Sequence, residues 1–309
     1  MRRSPGAPVG TAPVAAPPAP GARASRRGPV ALLVLALLGV GLLLYPSGAT
    51  WFAALTTDGQ LDAYMERVEQ IDPEARDAAL AAAEQYNSDG VQGLVIDPFS
   101  NTPGASEVPM DEAAYRYLDQ LALDPEGVMS RVTITSVGID LPVYHGTTDE
   151  TLHRGAGHLY GSSLPVGGSD THAVITGHSG LPQAAMFTAL HEVERGDEII
   201  VTTLGRTMTY RIVLIDRVTP TDIADLAVEP GRDLLTLVTC TPIGINTHRL
   251  IVQAERVPNA GEQAAEVVET QSIPFPWWMI AAAGALGGWG YAVVKVTRRN
   301  EPPLDKATR

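Results

Sequence analysis

Two long apolar runs without charged residues stand out in the hydrophobic pattern of the chain, one near each end. No charged residue occurs from Gly28 to Thr57, and none occurs from Thr270 to Val294. A helix needs about 20 predominantly apolar residues to cross a bilayer. The second run also has tryptophan and other aromatic residues at both of its ends, which is typical of membrane interfaces. The pattern therefore predicts transmembrane helices over residues 29–55 and 273–294.

Each run has an alternative interpretation. The first could be a cleaved signal peptide, but its apolar core is longer than usual and no convincing cleavage site of small residues follows it. The second could be a helix buried in a protein core. Its aromatic ends and the basic pair that follows it favour a membrane span.

Between the two runs, the first part of the chain has the periodicity of helices. Apolar residues recur every three or four positions from Leu61 onwards, and an alanine-rich stretch follows Pro73, so we predict a helix over Leu61–Tyr86. A second, short helix is predicted near Asp111–Leu121. The segment between them is polar and contains glycine and proline, which indicates a loop.

From Val128 to Val257 the pattern changes to short β-rich runs separated by turns. One helical insert fits Pro182–Leu190, and Val137-Gly138 makes a tight link between the first two runs. Seven or eight strands in about 130 residues predict a mainly β fold, a closed β-barrel of about eight strands with short helices. The predicted strands are Arg131–Ser136, Ile139–Tyr144, Thr171–Thr176, Glu198–Thr203, Met208–Val218, Leu234–Thr239 and His248–Val257.

The charge distribution indicates how the chain is oriented in a membrane. The formal net charge is −13, yet the first 28 residues hold five arginines and no acid, and the tail after Val294 holds five bases against two acids. Basic flanks on the outer side of both apolar runs place both termini in the cytoplasm and residues 58–269 outside. An acidic middle region has the wrong sign for binding nucleic acid.

These observations divide the chain into seven segments. They are a disordered basic N-terminus (1–28), a transmembrane helix (29–55), a helical region (58–127) with a loop at about 87–109, a β-barrel domain (128–258), a linker (259–272), a second transmembrane helix (273–294) and a cytoplasmic tail (295–309).

The candidate chemistry centres on Cys240, the only cysteine of the chain. A single cysteine cannot form an intramolecular disulfide. His178 and Arg249 lie, like Cys240, at the ends of strand-like segments, and nucleophilic acyl transfer needs a thiolate, a proton shuttle and a fixed positive donor for the oxyanion. The alternative is a buried structural cysteine. We expect no metal or cofactor, because the thiol has no cysteine partner and the histidines lack the tight spacing of a zinc motif.

Five runs of sequence show a resemblance to a known family. They are Leu141–Gly146 (LPVYHG), Gly155–His158 (GAGH), Ser163–Gly168 (SLPVGG), Thr176–Pro182 (TGHSGLP) and Thr236–Leu250 (TLVTCTPIGINTHRL). In content and order they resemble the sortases, and among these the class C or pilin-polymerising group, over residues 60–260. The resemblance implies a transpeptidase on the outer face of a Gram-positive membrane. Such an enzyme cleaves an LPxTG-type sorting signal between Thr and Gly and passes the acyl group to a lysine amine of another pilin subunit.

The resemblance also implies roles for individual residues. Cys240 would be the nucleophile, His178 the general acid and base, and Arg249 the oxyanion donor. In pilin sortases an Asp-Pro-aromatic triplet forms a lid over the groove, which implies that Asp97 pairs with the arginine and that Phe99 covers the thiol.

Two other functions stay open at this point. The first is anchoring of surface proteins to a cell-wall amine of peptidoglycan. The second is a non-catalytic membrane-bound β-domain that scaffolds surface proteins.

Other histidines and one arginine compete for these roles. His158 and His248 lie in runs that the resemblance places near the groove, whereas ordinary hydrogen-bonded histidines are expected at the remaining positions. Arg256 is seven residues from Arg249, and side chains alternate along a strand, so only one of the two arginines can face Cys240.

Overall fold

A computed structural model of the chain describes residues 27–90, 97, 99, 108, 111–182, 184–220, 222, 226–258 and 275–298. The predicted disordered N-terminus, most of the predicted 87–109 loop, the 259–272 linker and most of the C-terminal tail lie outside the described residues. The chain divides into two compact units, one formed by 1–42 and 282–309 and the other by 43–281.

Five α-helices and eight β-strands make up the described part of the chain. The helices are α1 (Arg27–Gln70), α2 (Pro73–Ser88), α3 (Glu112–Leu118), α4 (Asp149–Arg154) and α5 (Trp277–Arg298). The strands are β1 (Val128–Ile134), β2 (Ile139–His145), β3 (Ala156–His158), β4 (Thr171–Thr176), β5 (Glu198–Thr203), β6 (Arg206–Val218), β7 (Asp233–Thr241) and β8 (His248–Val257).

The eight strands close into one barrel, in the order β1-β2-β3-β4-β7-β8-β6-β5. The predicted closed barrel is therefore confirmed. Strand pairs are antiparallel except β2–β3 and β4–β7, which are parallel. The interior is filled by aliphatic side chains from alternate positions of each strand, as a small barrel requires. Fully buried members are Val132, Val143, Ile175, Val201, Leu237 and Val252.

Sequence reasoning missed strand β3. Its three residues, Ala156-Gly157-His158, contain no β-branched side chain, so neither propensity nor alternation marks them as a strand. Gly157 is required there, because a Cβ atom would lie 2.3 Å from the carbonyl oxygen of Gly146. Close packing of backbone on backbone, which only the fold produces, explains this glycine.

The helical region differs from its prediction at one point. The single helix expected over Leu61–Tyr86 is broken between α1 and α2. Asp72 caps the second helix by accepting a hydrogen bond from the Glu74 backbone N–H at 2.8 Å, and Pro73 occupies its first position. Proline suits that position because the first amides of a helix have no intrahelical partner. The apolar periodicity continues across this point, but the cap and the proline start a new helix there.

The predicted helix over Pro182–Leu190 is wrong in type and in bounds. Only a 3-10 turn forms, over Thr188–Glu192. Met186 has a φ of 41°, a left-handed conformation that interrupts a right-handed helix. The Phe187 backbone N–H instead donates to the His178 carbonyl at 2.9 Å, so this segment folds back onto the end of β4.

Two helices near the chain ends are long and apolar enough to span a membrane. The first candidate span lies within Ala31–Gln70, with a mean hydropathy of 2.1, and the second within Trp277–Lys295, with 1.2. In the smaller unit, the Trp289 indole N–H donates to the Leu33 carbonyl at 3.1 Å. Helix α1 continues well beyond the predicted 29–55 span, because an amphipathic segment with buried Leu61, Tyr64 and Val68 follows directly.

The N-terminal helices are fastened to the barrel by buried polar contacts. The Tyr64 hydroxyl donates to the Met129 carbonyl at 3.3 Å and accepts from the Leu204 N–H at 3.1 Å. At the end of α2, the Asn87 side chain donates to the Leu164 carbonyl at 3.1 Å and accepts from the Leu164 N–H at 2.8 Å. Asn87 thus anchors the point where the chain leaves α2.

We predict that Asn87→Ala lowers the free energy of unfolding by about 2 kcal/mol, because two buried backbone groups of Leu164 lose their partners. Chemical denaturation of the purified full chain in detergent measures this change. Gln85→Ala, on an exposed part of the same helix, is the control and should stay within about 0.5 kcal/mol of the wild type. Equal effects of the two substitutions would contradict the prediction.

Candidate active site

The register of β7 and β8 places Cys240 directly opposite Arg249. Opposed residues of an antiparallel pair have Cβ atoms about 4.5 to 5.5 Å apart and share one face of the sheet. Cys240 is the second-last residue of β7, and Arg249 is the second residue of β8. The thiol and the guanidinium therefore stand side by side at one end of the barrel.

His178 reaches the same place through the parallel pairing of β4 with β7. Thr176, the last residue of β4, pairs with Val238, so the chain two residues later lies level with Cys240. Three hydrogen bonds tie this turn to β7. They are Gly177 N–H to the Val238 carbonyl (3.1 Å), Thr239 hydroxyl to the Gly177 carbonyl (2.7 Å) and Ser179 hydroxyl to the Cys240 carbonyl (2.7 Å).

Burial governs the protonation of the two reactive groups. It raises the pKa of the Cys240 thiol, an effect that Arg249 opposes and Asp97 reinforces. Burial likewise lowers the pKa of His178, with a further decrease from His153 and an opposing increase from Asp149. A raised thiol pKa and a lowered imidazole pKa both shift the equilibrium towards the uncharged forms of the two groups.

The guanidinium of Arg249 is fully occupied. Its Nε and Nη2 donate to the two carboxylate oxygens of Asp97 at 2.8 and 2.7 Å, which is a bidentate ion pair. Nη2 also donates to the Phe99 carbonyl, and Nη1 to the carbonyls of Asn246 and His248. Asp97 and Arg249 are only 7% and 6% exposed, so this pair is shielded from water. The donors that could stabilise an oxyanion are therefore already used.

The Phe99 ring lies close to both His178 and Arg249. Its ring centroid is 5.6 Å from that of His178, and the Arg249 guanidinium carbon lies 5.3 Å from it. The ring also packs on a small apolar cluster that we call the outer strip, formed by Leu159, Val174, Leu226 and Val238. Val174 and Val238 belong to β4 and β7, on the face that also carries the thiol. Phe99 thus covers an apolar surface that leads to Cys240.

His153 is a neighbour of His178 that sequence reasoning did not single out. The two ring centroids are 5.3 Å apart in an edge-to-face arrangement. His153 is held by its Nδ1, which donates to the Asp149 carbonyl at 2.7 Å within α4. Its position follows from the contact of α4 with β3, which pairs with the end of β4. No local motif in a single sequence predicts this packing.

The side chains of the other candidates make their contacts with other groups. His158 is fully buried, between the Tyr117 hydroxyl at 3.0 Å and the Ser163 carbonyl at 2.8 Å, and burial lowers its pKa to about 4. His248 is exposed and bonds to Thr247. Arg256 lies over the Tyr210 ring, at the far end of β8. Within the described ranges, no group of three His, Cys, Asp or Glu side chains is placed to hold a metal ion.

This arrangement suits one kind of chemistry. A thiol beside a guanidinium, with an imidazole on the next strand, can attack a carbonyl carbon, shuttle a proton and stabilise the oxyanion that forms. The apolar outer strip can hold an extended peptide beside the thiol. The fold and the site thus define the class of cysteine acyl-transfer enzymes built on a β-barrel.

Comparisons with known proteins place the chain within that class. Residues 132–257 match the sortase domain family. Sortase A of Streptococcus agalactiae serotype III is 33% identical over 131 residues, which are 41% of this chain and 52% of that protein. The chain therefore spans about half the length of this relative.

Solved structures resemble the chain over a longer stretch. Sortase C-1 from Actinomyces oris is 45% identical with a TM-score of 0.57, covering 60% of this chain and 99% of that one. A pilus-related sortase C of Group B Streptococcus is 34% identical, also with a TM-score of 0.57, covering 64% of this chain and 97% of that one. The chain belongs to the sortase family, whose members are cysteine transpeptidases.

We predict that Asp97→Asn shifts the pH dependence of Cys240 alkylation to lower pH. The Asp97 carboxylate raises the pKa of the thiol, so its removal increases the thiolate fraction at any given pH. The rate of modification by iodoacetamide, followed by intact mass from pH 6 to 10, measures the shift. Asp77→Asn removes an exposed carboxylate from α2 and should leave the curve unchanged. An unchanged or higher midpoint for Asp97→Asn would count against this electrostatic role.

Proposed function

We propose that the chain is a membrane-anchored sortase that cleaves an LPxTG-type sorting signal between Thr and Gly and transfers the acyl group to a lysine amine of another pilin subunit. The observation that carries this proposal is the site itself, in which Cys240 stands opposite Arg249 and Asp97 binds the guanidinium. The similarity to sortase C structures, one of them a pilus-related sortase C, supports the choice of pilin substrates.

In the first half-reaction, the Cys240 sulfur attacks the carbonyl carbon of the Thr residue. The thiol proton passes to His178, and the carbonyl oxygen becomes an oxyanion beside Arg249. When the intermediate collapses, the C–N bond breaks, His178 returns the proton to the leaving Gly amine, and a thioester remains on the sulfur. Loss of one oxyanion donor typically raises such a barrier by about 3 to 4 kcal/mol.

The lid must move before this reaction can begin. Asp97 occupies the guanidinium donors, and Phe99 occupies the outer strip, where we expect the Leu-Pro part of the signal to bind. Departure of the lid also lets water and substrate reach the thiol and removes the Asp97 charge that opposes thiolate formation. In this proposal the lid lowers basal hydrolysis, because it competes with substrate for the groove.

For the membrane arrangement, we propose two spans at residues 29–55 and 273–294, with both termini in the cytoplasm and the barrel outside. The basic residues that flank each apolar run on its outer side support this topology. The catalytic barrel would then face the surface proteins that pass through the membrane, which are its donors. Membrane lipid would surround the two helices.

The proposed reaction class predicts a covalent intermediate at Cys240. Full-length protein in detergent, mixed with a peptide that contains Leu-Pro-x-Thr-Gly, should gain the mass of the acyl fragment, and peptide mapping should place the adduct on Cys240. Cys240→Ala should gain no mass. Undiminished biological function of Cys240→Ala would instead favour a non-catalytic scaffold.

Offering a pilin lysine or a cell-wall cross-bridge amine to the adduct separates pilus polymerisation from peptidoglycan anchoring.

The lid predicts a faster reaction when its ion pair is removed. Asp97→Ala should form the adduct about tenfold faster than wild type, since hydrogen bonds to charged groups contribute about 1.5 to 3 kcal/mol each and water replaces part of this. Intact-mass measurement of samples quenched at successive times gives the rate of adduct formation. Asp77→Ala, an exposed aspartate of α2, is the matched control. Equal rates for wild type and Asp97→Ala would remove the regulatory role of the lid.

A further inference from the structure

His172 is a buried histidine that the acyl-transfer chemistry described above does not use. It is the second residue of β4, and it is fully buried. Its Nδ1 lies 2.7 Å from the Ala227 carbonyl oxygen, and its Nε2 lies 2.7 Å from the Thr236 hydroxyl. A carbonyl oxygen only accepts hydrogen bonds, so Nδ1 must carry a proton. In the neutral ring, Nε2 then accepts from the hydroxyl. The imidazole therefore bridges two elements of the fold.

The two ends of this bridge differ in character. Thr236 is a buried residue of strand β7, whereas Ala227 is an exposed residue of the connection between β6 and β7. The backbone of His172 is itself held in place. Its N–H donates to the Ser163 hydroxyl at 3.0 Å, and its carbonyl accepts from the Ser163 N–H at 3.0 Å. His172 thus ties the β6–β7 connection to the wall of the barrel.

The tied segment provides part of the outer strip. Leu226, a member of that strip, directly precedes Ala227. It is only 6% exposed, although Ala227 and Val228 beside it are exposed. Surface connections are generally more mobile than the elements that they join. The hydrogen bond from the buried His172 ring therefore restricts where the Leu226 side chain lies.

The bridge stands on the same face of the sheet as the thiol. Side chains at alternate positions of a strand share a face, so Thr236, Val238 and Cys240 form one row on β7. Four residues of strand separate Thr236 from Cys240, which is about 13 Å. In an extended sorting signal, the Leu residue is three positions from the Thr that reacts, which is about 10 Å. With the Leu-Pro part of the signal on the outer strip, the bridge lies just beyond the Leu residue.

We propose that His172 is a positioning residue for the donor, whose bridge holds Leu226 as a wall of the site that receives the Leu side chain of the sorting signal. This inference rests on the proposed transpeptidase function. A wall that is in place before the peptide arrives avoids the cost of ordering a surface connection during binding. Because the bridge is four strand residues from the thiol, its loss weakens donor binding and leaves the chemical step unchanged.

The test measures adduct formation from an LPxTG-containing peptide by the full chain in detergent, on the Asp97→Ala background. Intact masses of quenched samples at several peptide concentrations give the maximal rate and the half-saturating peptide concentration. His172→Gln puts its amide near the position of Nε2 and loses the bond to the Ala227 carbonyl. It should raise the half-saturating concentration about fivefold, the ordinary effect of losing one neutral hydrogen bond, with the maximal rate unchanged.

His172→Asn is the conservative variant, because its amide N–H takes the position of Nδ1 and can still donate to the Ala227 carbonyl. The half-saturating concentration should therefore stay within about twofold of the parent value. Rescue by asparagine and not by glutamine distinguishes this one hydrogen bond from a general need for a polar side chain at the position.

Peptide variants test whether the effect is specific to the Leu position. Replacing the Leu of the signal by Ala should raise the half-saturating concentration less in His172→Gln than in the parent, because the wall that contacts this Leu is already displaced. Replacing the variable x residue should have the same effect in both proteins. Such coupling between one peptide side chain and one protein side chain is what a double-mutant cycle measures.

Two further variants address folding. His145→Ala is the matched control, since the His145 Nε2 also donates to a backbone carbonyl, that of Gln120 at 2.8 Å, in another part of the barrel. It should leave the half-saturating concentration unchanged. Thr236→Val is the second probe if His172→Gln does not fold. It keeps the shape of the side chain, removes the hydroxyl that orients the His172 ring, and should raise the half-saturating concentration about threefold.

The outcomes separate the two levels of the proposal. Absence of any adduct on the Asp97→Ala parent would overturn the transpeptidase function itself. Normal adduct formation with an unchanged half-saturating concentration in His172→Gln or Thr236→Val would overturn the positioning role and leave the transpeptidase function standing. Equal impairment by His172→Asn and His172→Gln, or an equal penalty for the Leu-to-Ala peptide in parent and variant, would likewise overturn that role.

Discussion

The antiparallel register of β7 and β8 is the constraint on which the site depends. It sets Cys240 opposite Arg249, and a slip of one residue would turn one of the two side chains to the other face of the sheet. The barrel protects this register, because every strand has a partner on both sides and no edge is free to slide. The remaining parts of the site attach to this pair. The turn that carries His178 bonds to the backbone of β7, and Asp97 bonds to the guanidinium.

The guanidinium of Arg249 binds the Asp97 carboxylate in this structure, and it is also the group suited to stabilise an oxyanion. The same donors that would stabilise an oxyanion hold the Asp97 carboxylate in the structure. The Asp97 carboxylate therefore places a negative charge on the donors that an oxyanion would need. Covering the site also removes water from the thiol, which raises its pKa. The contact thus occupies the guanidinium donors, and together with burial the Asp97 carboxylate raises the pKa of the thiol.

His178 has two aromatic neighbours. The ring centroid of Phe99 lies 5.6 Å and that of His153 lies 5.3 Å from the imidazole centroid. Burial lowers the pKa of His178, and His153 lowers it further. The turn that carries His178 is held by three hydrogen bonds to β7, so β7 sets the position of this turn.

The sequence alone determined the elements that depend on neighbouring residues: the two apolar spans, most β-branched strands and the separate motifs around Cys240 and His178. It did not mark β3, which has no strand-like composition, or the break at Pro73, where a cap competes with periodicity. Only the tertiary structure decided that His153 lies beside His178 and how Asp97 meets Arg249 across 152 positions of chain. The physical reason is that local patterns reflect short-range preferences, whereas these contacts arise from strand register and packing between distant segments.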